Sequence, residues 1–118
     1  MSQILFNERK INGVPALKVS GRLDIDTAPE MRNVILHFAR TGHATLAVDL
    51  SGLDYMDTSG LATLIEGNMR MQYAGGRLIL FGLTPQTAEV FNMVHVSGLF
   101  TIVETEKEAK DLLNRPAQ

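Results

Sequence analysis

Hydrophobic and polar residues alternate along this chain in two patterns, one typical of strands and one typical of helices. Two short apolar segments at residues 4–6 and 16–19 flank the turn Asn12-Gly13, which predicts a β-hairpin. Pro15 indicates that the second strand either lies at a sheet edge or begins just after the proline. The sequence GRLD at 21–24 interrupts the strand pattern, so we expect the strand to end there.

Later segments combine helix start signals with apolar residues spaced i, i+3, i+4. Thr27 and Glu30 have capping-box spacing, as do Thr105 and Glu108, and Thr84 precedes a proline that suits a first turn. Another helix is predicted to begin at Asp57. The side chains that we expect to face the core are Met31, Val34, Ile35, Phe38, Leu61, Leu64, Ile65, Met69, Tyr73, Val90, Phe91, Val94, Ala109, Leu112 and Leu113.

Three segments between these helices, at 45–50, 78–83 and 100–103, are almost entirely apolar. Such runs are typical of strands that are covered on both faces. Strands that alternate with helices predict a mostly parallel sheet with helical crossovers. We therefore expect one α/β domain over residues 1–114, followed by a disordered tail at 115–118.

Composition narrows the classes of function. The 118 residues are 45% hydrophobic, carry a formal net charge of −2 and include no cysteine. Acidic and basic residues are interspersed along the chain, so the charge pattern does not favour nucleic acid or an anionic membrane as a main partner. No apolar run approaches the roughly 20 residues of a membrane span, and charges near the N-terminus do not fit a signal peptide. We expect a soluble cytoplasmic protein without disulfides or thiolate metal sites.

The turn at residues 57–60, with sequence DTSG, is the main candidate for chemistry. Asp57 is predicted to cap the helix, and Gly60 to allow close packing on the sheet. Ser59 then lies in the first turn, where unpaired N–H groups and the helix dipole favour a phosphate. Thr63 and Gly67 continue a row of small residues from Gly60, which we expect to face outward beside a Glu66–Arg70 pair and to allow a partner backbone to approach closely.

Catalytic uses of this serine do not fit the sequence. A hydrolase nucleophile elbow requires Gly-x-Ser-x-Gly, but Asp57 and Leu61 occupy the two glycine positions. The histidines, His37, His43 and His95, have neither the spacing of metal ligands nor a placement suited to a catalytic base. Asp49 lacks the acidic pair and lysine of a phosphoacceptor site, so we expect backbone donors to satisfy it. We predict no enzyme activity, metal or cofactor.

Five short motifs together resemble the STAS domain, in particular the bacterial anti-sigma factor antagonists that consist of this domain alone. They are GRLD at 21–24, DLSGL at 49–53, MDTSGL at 56–61, GGRL at 75–78 and SGLF at 97–100. The resemblance covers essentially the whole chain in order. It implies the STAS fold, a mixed, mostly parallel sheet of about four or five strands with about four helices largely on one face.

The resemblance also implies a binding protein. Antagonists of this family bind an anti-sigma factor that is also a serine/threonine kinase, and so free a sigma factor for transcription. The kinase phosphorylates the serine before the glycine, which corresponds to Ser59, and a phosphatase reverses the modification. Asp57 and Thr58 belong to the same loop, while Asp24 corresponds to an acid close to it. Gly60, Thr63 and Gly67 complete the predicted partner-binding set.

Two other functions remain open at the level of sequence. A small STAS subunit of a membrane transport ATPase of the phospholipid-trafficking type would use the same helix face to dock a nucleotide-binding subunit. A ligand or nucleotide sensor would hold a phosphate at the helix N-terminus, although the chain has no glycine-rich phosphate loop with a lysine.

Overall fold

The computed structural model describes residues 3–94 and 97–114, which form a five-stranded sheet with four α-helices. The strands are β1 (Ile4–Ile11), β2 (Val14–Leu23), β3 (Thr45–Met56), β4 (Arg77–Phe81) and β5 (Thr101–Ile102). The helices are α1 (Ala28–Arg40), α2 (Thr58–Tyr73), α3 (Pro85–Met93) and α4 (Glu106–Leu113), and a 3-10 turn covers Ser97–Leu99. None of the described helices is both long and apolar enough to cross a membrane. The predicted tail at 115–118 and His95 lie outside the described residues.

The strands follow chain order across the sheet, with β1 antiparallel to β2 and the remaining neighbours parallel. The predicted hairpin is confirmed, since Asn12 and Gly13 have φ values of 51° and 79°, the conformation of a tight two-residue turn. Both alternatives for Pro15 are wrong, because β2 lies between β1 and β3 and already begins at Val14, before the proline. Parallel pairing with β3 starts at Ala16, directly after the proline, so the missing N–H interrupts no ladder bond to β3.

Strands β2 and β3 are longer than the sequence predicts. β2 continues to Leu23 through two register shifts, and β3, predicted over residues 45–50, runs to Met56. β2 therefore ends within residues 21–24, as expected, but at Leu23 and not at the start of that segment. Irregular pairing accommodates the glycine at position 21 without ending the ladder.

The sheet carries a core on each face. Helices α1, α2 and α3 cover the larger core, to which the strands contribute Val48, Leu50 and Leu80. Helix α4 packs on the opposite face, where Ala109 joins Ile79 and Phe81 in the smaller core. The prediction of about four helices largely on one face is confirmed.

Helix α2 is rotated relative to the sequence prediction. Met69 and Tyr73 are 62% and 96% exposed, although the apolar spacing predicts that both face the core. The small residues Thr63 and Gly67 are buried instead, so the predicted outward row is wrong. A Cβ placed on Gly67 would lie 2.7 Å from Cδ1 of Ile35, which shows how closely α1 packs against this side of α2.

Three smaller predictions also change. Thr27 is the N-cap of α1 but makes no capping bond, because its hydroxyl donates to the carbonyl oxygen of Arg22 at 2.8 Å. Val94, predicted to face the core, follows the last residue of α3 and is 40% exposed. Glu66 forms an ion pair with Arg32 of α1, at 2.6 Å, whereas the sequence suggested Arg70 of its own helix as the partner.

Candidate functional site

The loops that follow β2 and β3 lie side by side at the carboxyl edge of the sheet. Leu23 pairs with Met56 in the parallel ladder, and the Asp57 N–H donates to the Leu23 carbonyl oxygen at 3.3 Å. The residues that follow these two strand ends, Asp24 and Asp57, are therefore brought to one edge. Open α/β sheets commonly place their functional sites at this edge.

Asp57 is the N-cap of α2, as the sequence predicts. One carboxylate oxygen accepts hydrogen bonds from the backbone N–H groups of Ser59 and Gly60, at 2.9 Å and 3.2 Å. The expectation of unpaired N–H groups in this turn is therefore wrong for these two donors. A phosphate on Ser59 would meet the positive end of the helix dipole, but it would compete with Asp57 for both groups.

Ser59 is partly exposed in the first turn of α2, and the neighbouring Thr58 is exposed. The Ser59 hydroxyl has no hydrogen-bond partner within residues 3–94 and 97–114. Its backbone carbonyl accepts from the Thr63 hydroxyl at 3.2 Å, which adds a contact inside the helix. The turn thus holds the backbone of Ser59 in place.

Asp24 organises the neighbouring loop. Its carboxylate accepts hydrogen bonds from the backbone N–H groups of Asp26 and Thr27 and pairs with Arg22 at 3.4 Å. Desolvation raises the pKa of this carboxyl, but the hydrogen bonds from Asp26, Thr27 and Arg22 outweigh it, so the pKa lies below its ordinary value. Asp24 therefore remains ionised at neutral pH beside the Asp57 turn.

Gly60 allows the two loops to approach each other. A Cβ at this position would lie 2.7 Å from the carbonyl oxygen of Leu23 and 2.9 Å from Cγ of Met56. The prediction of close packing on the sheet is confirmed. Thr63 and Gly67 lie on the same buried side of α2, so they support the packing of the helix and do not form part of its surface.

Sequence reasoning missed Gln86, a residue of α3 that reaches the same turn. Its side-chain oxygen accepts from the Met56 N–H at 2.9 Å, and its side-chain nitrogen donates to the Met56 carbonyl oxygen at 2.7 Å. A groove of about 310 Å³ separates α3 from the turn, with Tyr55, Asp57 and Met93 in its lining. No local pattern could reveal this contact, because Gln86 lies far along the chain from Met56.

The sequence raised two other kinds of site, a metal centre and a phosphoacceptor aspartate. Within the described ranges, no group of three or more His, Asp or Glu residues is arranged to hold a metal ion. Asp49, a possible phosphoacceptor, lies within β3 and accepts from the Ser51 N–H at 2.9 Å, as expected of an acid satisfied by backbone donors.

Comparison with known families identifies the fold. The model of the family described as "Mlab, STAS domain" matches residues 7–104. The chain belongs to the STAS domain family. Its GRLD and DTSG segments, singled out from the sequence, lie where β2 and β3 of this STAS domain end side by side.

The chain is also similar to curated proteins and to solved structures. An anti-sigma-B factor antagonist of Listeria monocytogenes is 27% identical over 76% of this chain and 79% of its own. An anti-sigma factor antagonist from Mycobacterium paratuberculosis has the same fold, with a TM-score of 0.85, 21% identity and 95% coverage of both chains. Phosphorylated SpoIIAA, a cell fate determinant of Bacillus, superposes with a TM-score of 0.70 at 22% identity, over 93% of this chain and 100% of its own.

Proposed function

We propose that this STAS domain is an anti-sigma factor antagonist that is switched off by phosphorylation of Ser59. The observation that carries the proposal is the partly exposed Ser59, whose backbone the Asp57 cap holds in the first turn of α2. The names of the curated relatives and the phosphorylated form of SpoIIAA support it. The partner is an anti-sigma factor with serine kinase activity, and a phosphatase restores the unmodified state in the cytoplasm.

The surface around Ser59 suits a protein partner. Ile25, directly after Asp24 in the adjacent loop, is 72% exposed. A shallow groove of about 330 Å³ follows the outer side of α2, where Ile65 and Met69 contribute apolar surface. A partner that covers this region would bury apolar area and enclose the Ser59 hydroxyl, which is how interfaces gain affinity and selectivity.

Phosphorylation would act at the interface through charge. A phosphoserine adds about −1.5 to −2 charges at neutral pH. The Asp57 carboxylate lies within the same helical turn, and Asp24 lies in the neighbouring loop. A partner surface shaped for a neutral hydroxyl would then face a larger group with several negative charges. The chain itself performs no catalysis in this scheme and requires no cofactor.

The experiment combines modification and binding. The chain is incubated with the candidate kinase and ATP, and mass spectrometry locates the phosphate; we expect it on Ser59. Affinity for the kinase is then measured for Ser59→Ala and Ser59→Asp. We expect Ser59→Ala to bind like the unmodified chain and Ser59→Asp to bind at least about tenfold more weakly, because juxtaposed like charges are costly.

Gln72→Glu is the matched control, since it adds one negative charge at an exposed position near the far end of α2. It should leave affinity unchanged. Equal binding by Ser59→Ala and Ser59→Asp, or a phosphate confined to another residue, would contradict the proposal. Urea unfolding of each variant checks that the substitutions leave the fold intact.

A second candidate is a STAS subunit that regulates a membrane transport ATPase. The exposed Met69 and Tyr73 favour it, because they extend the apolar surface of α2 away from Ser59. In that case Tyr73→Asp would abolish binding to a nucleotide-binding subunit, whereas Ser59→Asp would have little effect. Sensitivity to a charge at Ser59 therefore distinguishes the two candidates.

A further inference from the structure

Strand β3 extends beyond its pairing with β4. The β3–β4 ladder ends where Asp49 lies opposite Phe81, but β3 continues to Met56. Strand β2 still pairs with this extension on one side, where Leu23 lies opposite Met56. On the other side, the N–H and C=O groups of Met56 need partners that β4 does not supply.

Gln86 supplies both partners. Its carboxamide accepts from the Met56 N–H and donates to the Met56 carbonyl oxygen, at 2.9 Å and 2.7 Å. A carboxamide presents one acceptor and donor groups, as a peptide group of a neighbouring strand would. The first turn of α3 is itself fixed, because the Thr84 hydroxyl accepts from the Thr87 N–H at 3.2 Å and Thr87 is fully buried.

We infer that Gln86 is a positioning residue for Ser59. Met56 directly precedes the Asp57 cap, and its side chain is buried beneath Gly60. The two bonds from Gln86 therefore fix the backbone from which the cap and the first turn of α2 project. The consequence for phosphorylation rests on the proposed function, whereas the fixing of the turn does not.

Gln86→Met tests the fixing of the turn, because methionine has similar length and volume but forms no such pair of bonds. We expect amide hydrogen exchange at Met56, Ser59 and Gly60 to accelerate by about tenfold, since two hydrogen bonds of ordinary net strength are lost. Gln72→Met, the same change at an exposed position of α2, should leave these rates unchanged. Unchanged exchange at Ser59 and Gly60 in Gln86→Met would overturn the inference.

The kinase assay tests the consequence. For Gln86→Met we expect kcat for phosphorylation of Ser59 to fall by about tenfold or more with KM nearly unchanged, because group transfer is sensitive to small misplacements of the reacting group. Ile79→Val, in the core on the opposite face, serves as a control for general loss of stability. An unchanged kcat for Gln86→Met, or an equal fall for both variants, would overturn this role of Gln86. Failure of the kinase to modify the wild-type chain would instead count against the proposed function. The hydrogen-exchange experiment does not need the kinase, so it would still test whether Gln86 fixes the turn.

Discussion

At the scale of single residues, the carboxylates of Asp24 and Asp57 both stabilise loops at the carboxyl edge of the sheet in addition to carrying charge. Asp57 caps α2, and Asp24 organises the loop before α1 by accepting from two backbone N–H groups. Both carboxylates are thus held in fixed positions at the edge where Ser59 lies. The hydrogen bonds that stabilise these loops therefore also fix the positions of the two negative charges.

Asp24 makes the stability of this loop dependent on pH. Because its pKa is lowered in the folded state, its stabilising contribution is complete above the unfolded-state value of about 3.9 and is lost as the pH falls through the lowered value. About pH 6 and pH 3 lie on either side of the unfolded-state pKa. We expect Asp24→Asn to reduce the difference in urea midpoint between these two pH values. An identical pH dependence in the variant and the wild type would contradict this prediction.

At the scale of elements, the packing of α2 depends on two glycines with different neighbours. A Cβ on Gly60 would meet the backbone carbonyl of Leu23, which cannot move without disturbing β2. A Cβ on Gly67 would meet the side chain of Ile35, whose outer atoms can shift. The helix therefore tolerates larger residues at these two places to different extents.

We expect Gly60→Ala to destabilise the domain more than Gly67→Ala. Overpacking costs about 1–3 kcal/mol, and the higher helix propensity of alanine returns about 1 kcal/mol at a mid-helix position such as Gly67. Urea unfolding should show a loss of about 2 kcal/mol or more for Gly60→Ala and a smaller loss for Gly67→Ala. A larger loss for Gly67→Ala would show that Ile35 cannot adjust.

At the scale of the whole molecule, the sheet is covered unequally on its two faces. Three helices cover one face, whereas α4 alone among the described helices packs on the other, with Ala109 fully buried. Ser59 belongs to α2, on the side of the larger core. Changes in the smaller core should therefore affect stability with little direct effect on the partner surface.

Ala109→Asp tests the contribution of α4. A buried, unpaired carboxylate should cost about 3 kcal/mol or more in unfolding free energy, measured in urea. Lys107→Asp, at an exposed position of the same helix, should change stability by about 0.5 kcal/mol or less. Similar losses in both variants would indicate that α4 does not depend on the burial of this face.

The sequence alone determined the element order, the parallel character of the sheet and the Asp57 cap. These features depend on apolar periodicity and on hydrogen bonds between residues close in the chain, so local patterns can predict them. The same patterns indicate Ser59 as the candidate for modification, because it follows the cap in the first turn.

Tertiary structure determined which side of α2 is buried and what holds the turn before Ser59. The large residues Met69 and Tyr73 suggest one side, but the close approach of α1 selects the small residues Thr63 and Gly67 for the interior. The carboxamide of α3 that binds the end of β3 comes from a segment 30 residues further along the chain. Such contacts depend on how distant segments pack together, and no local spacing of residues encodes them.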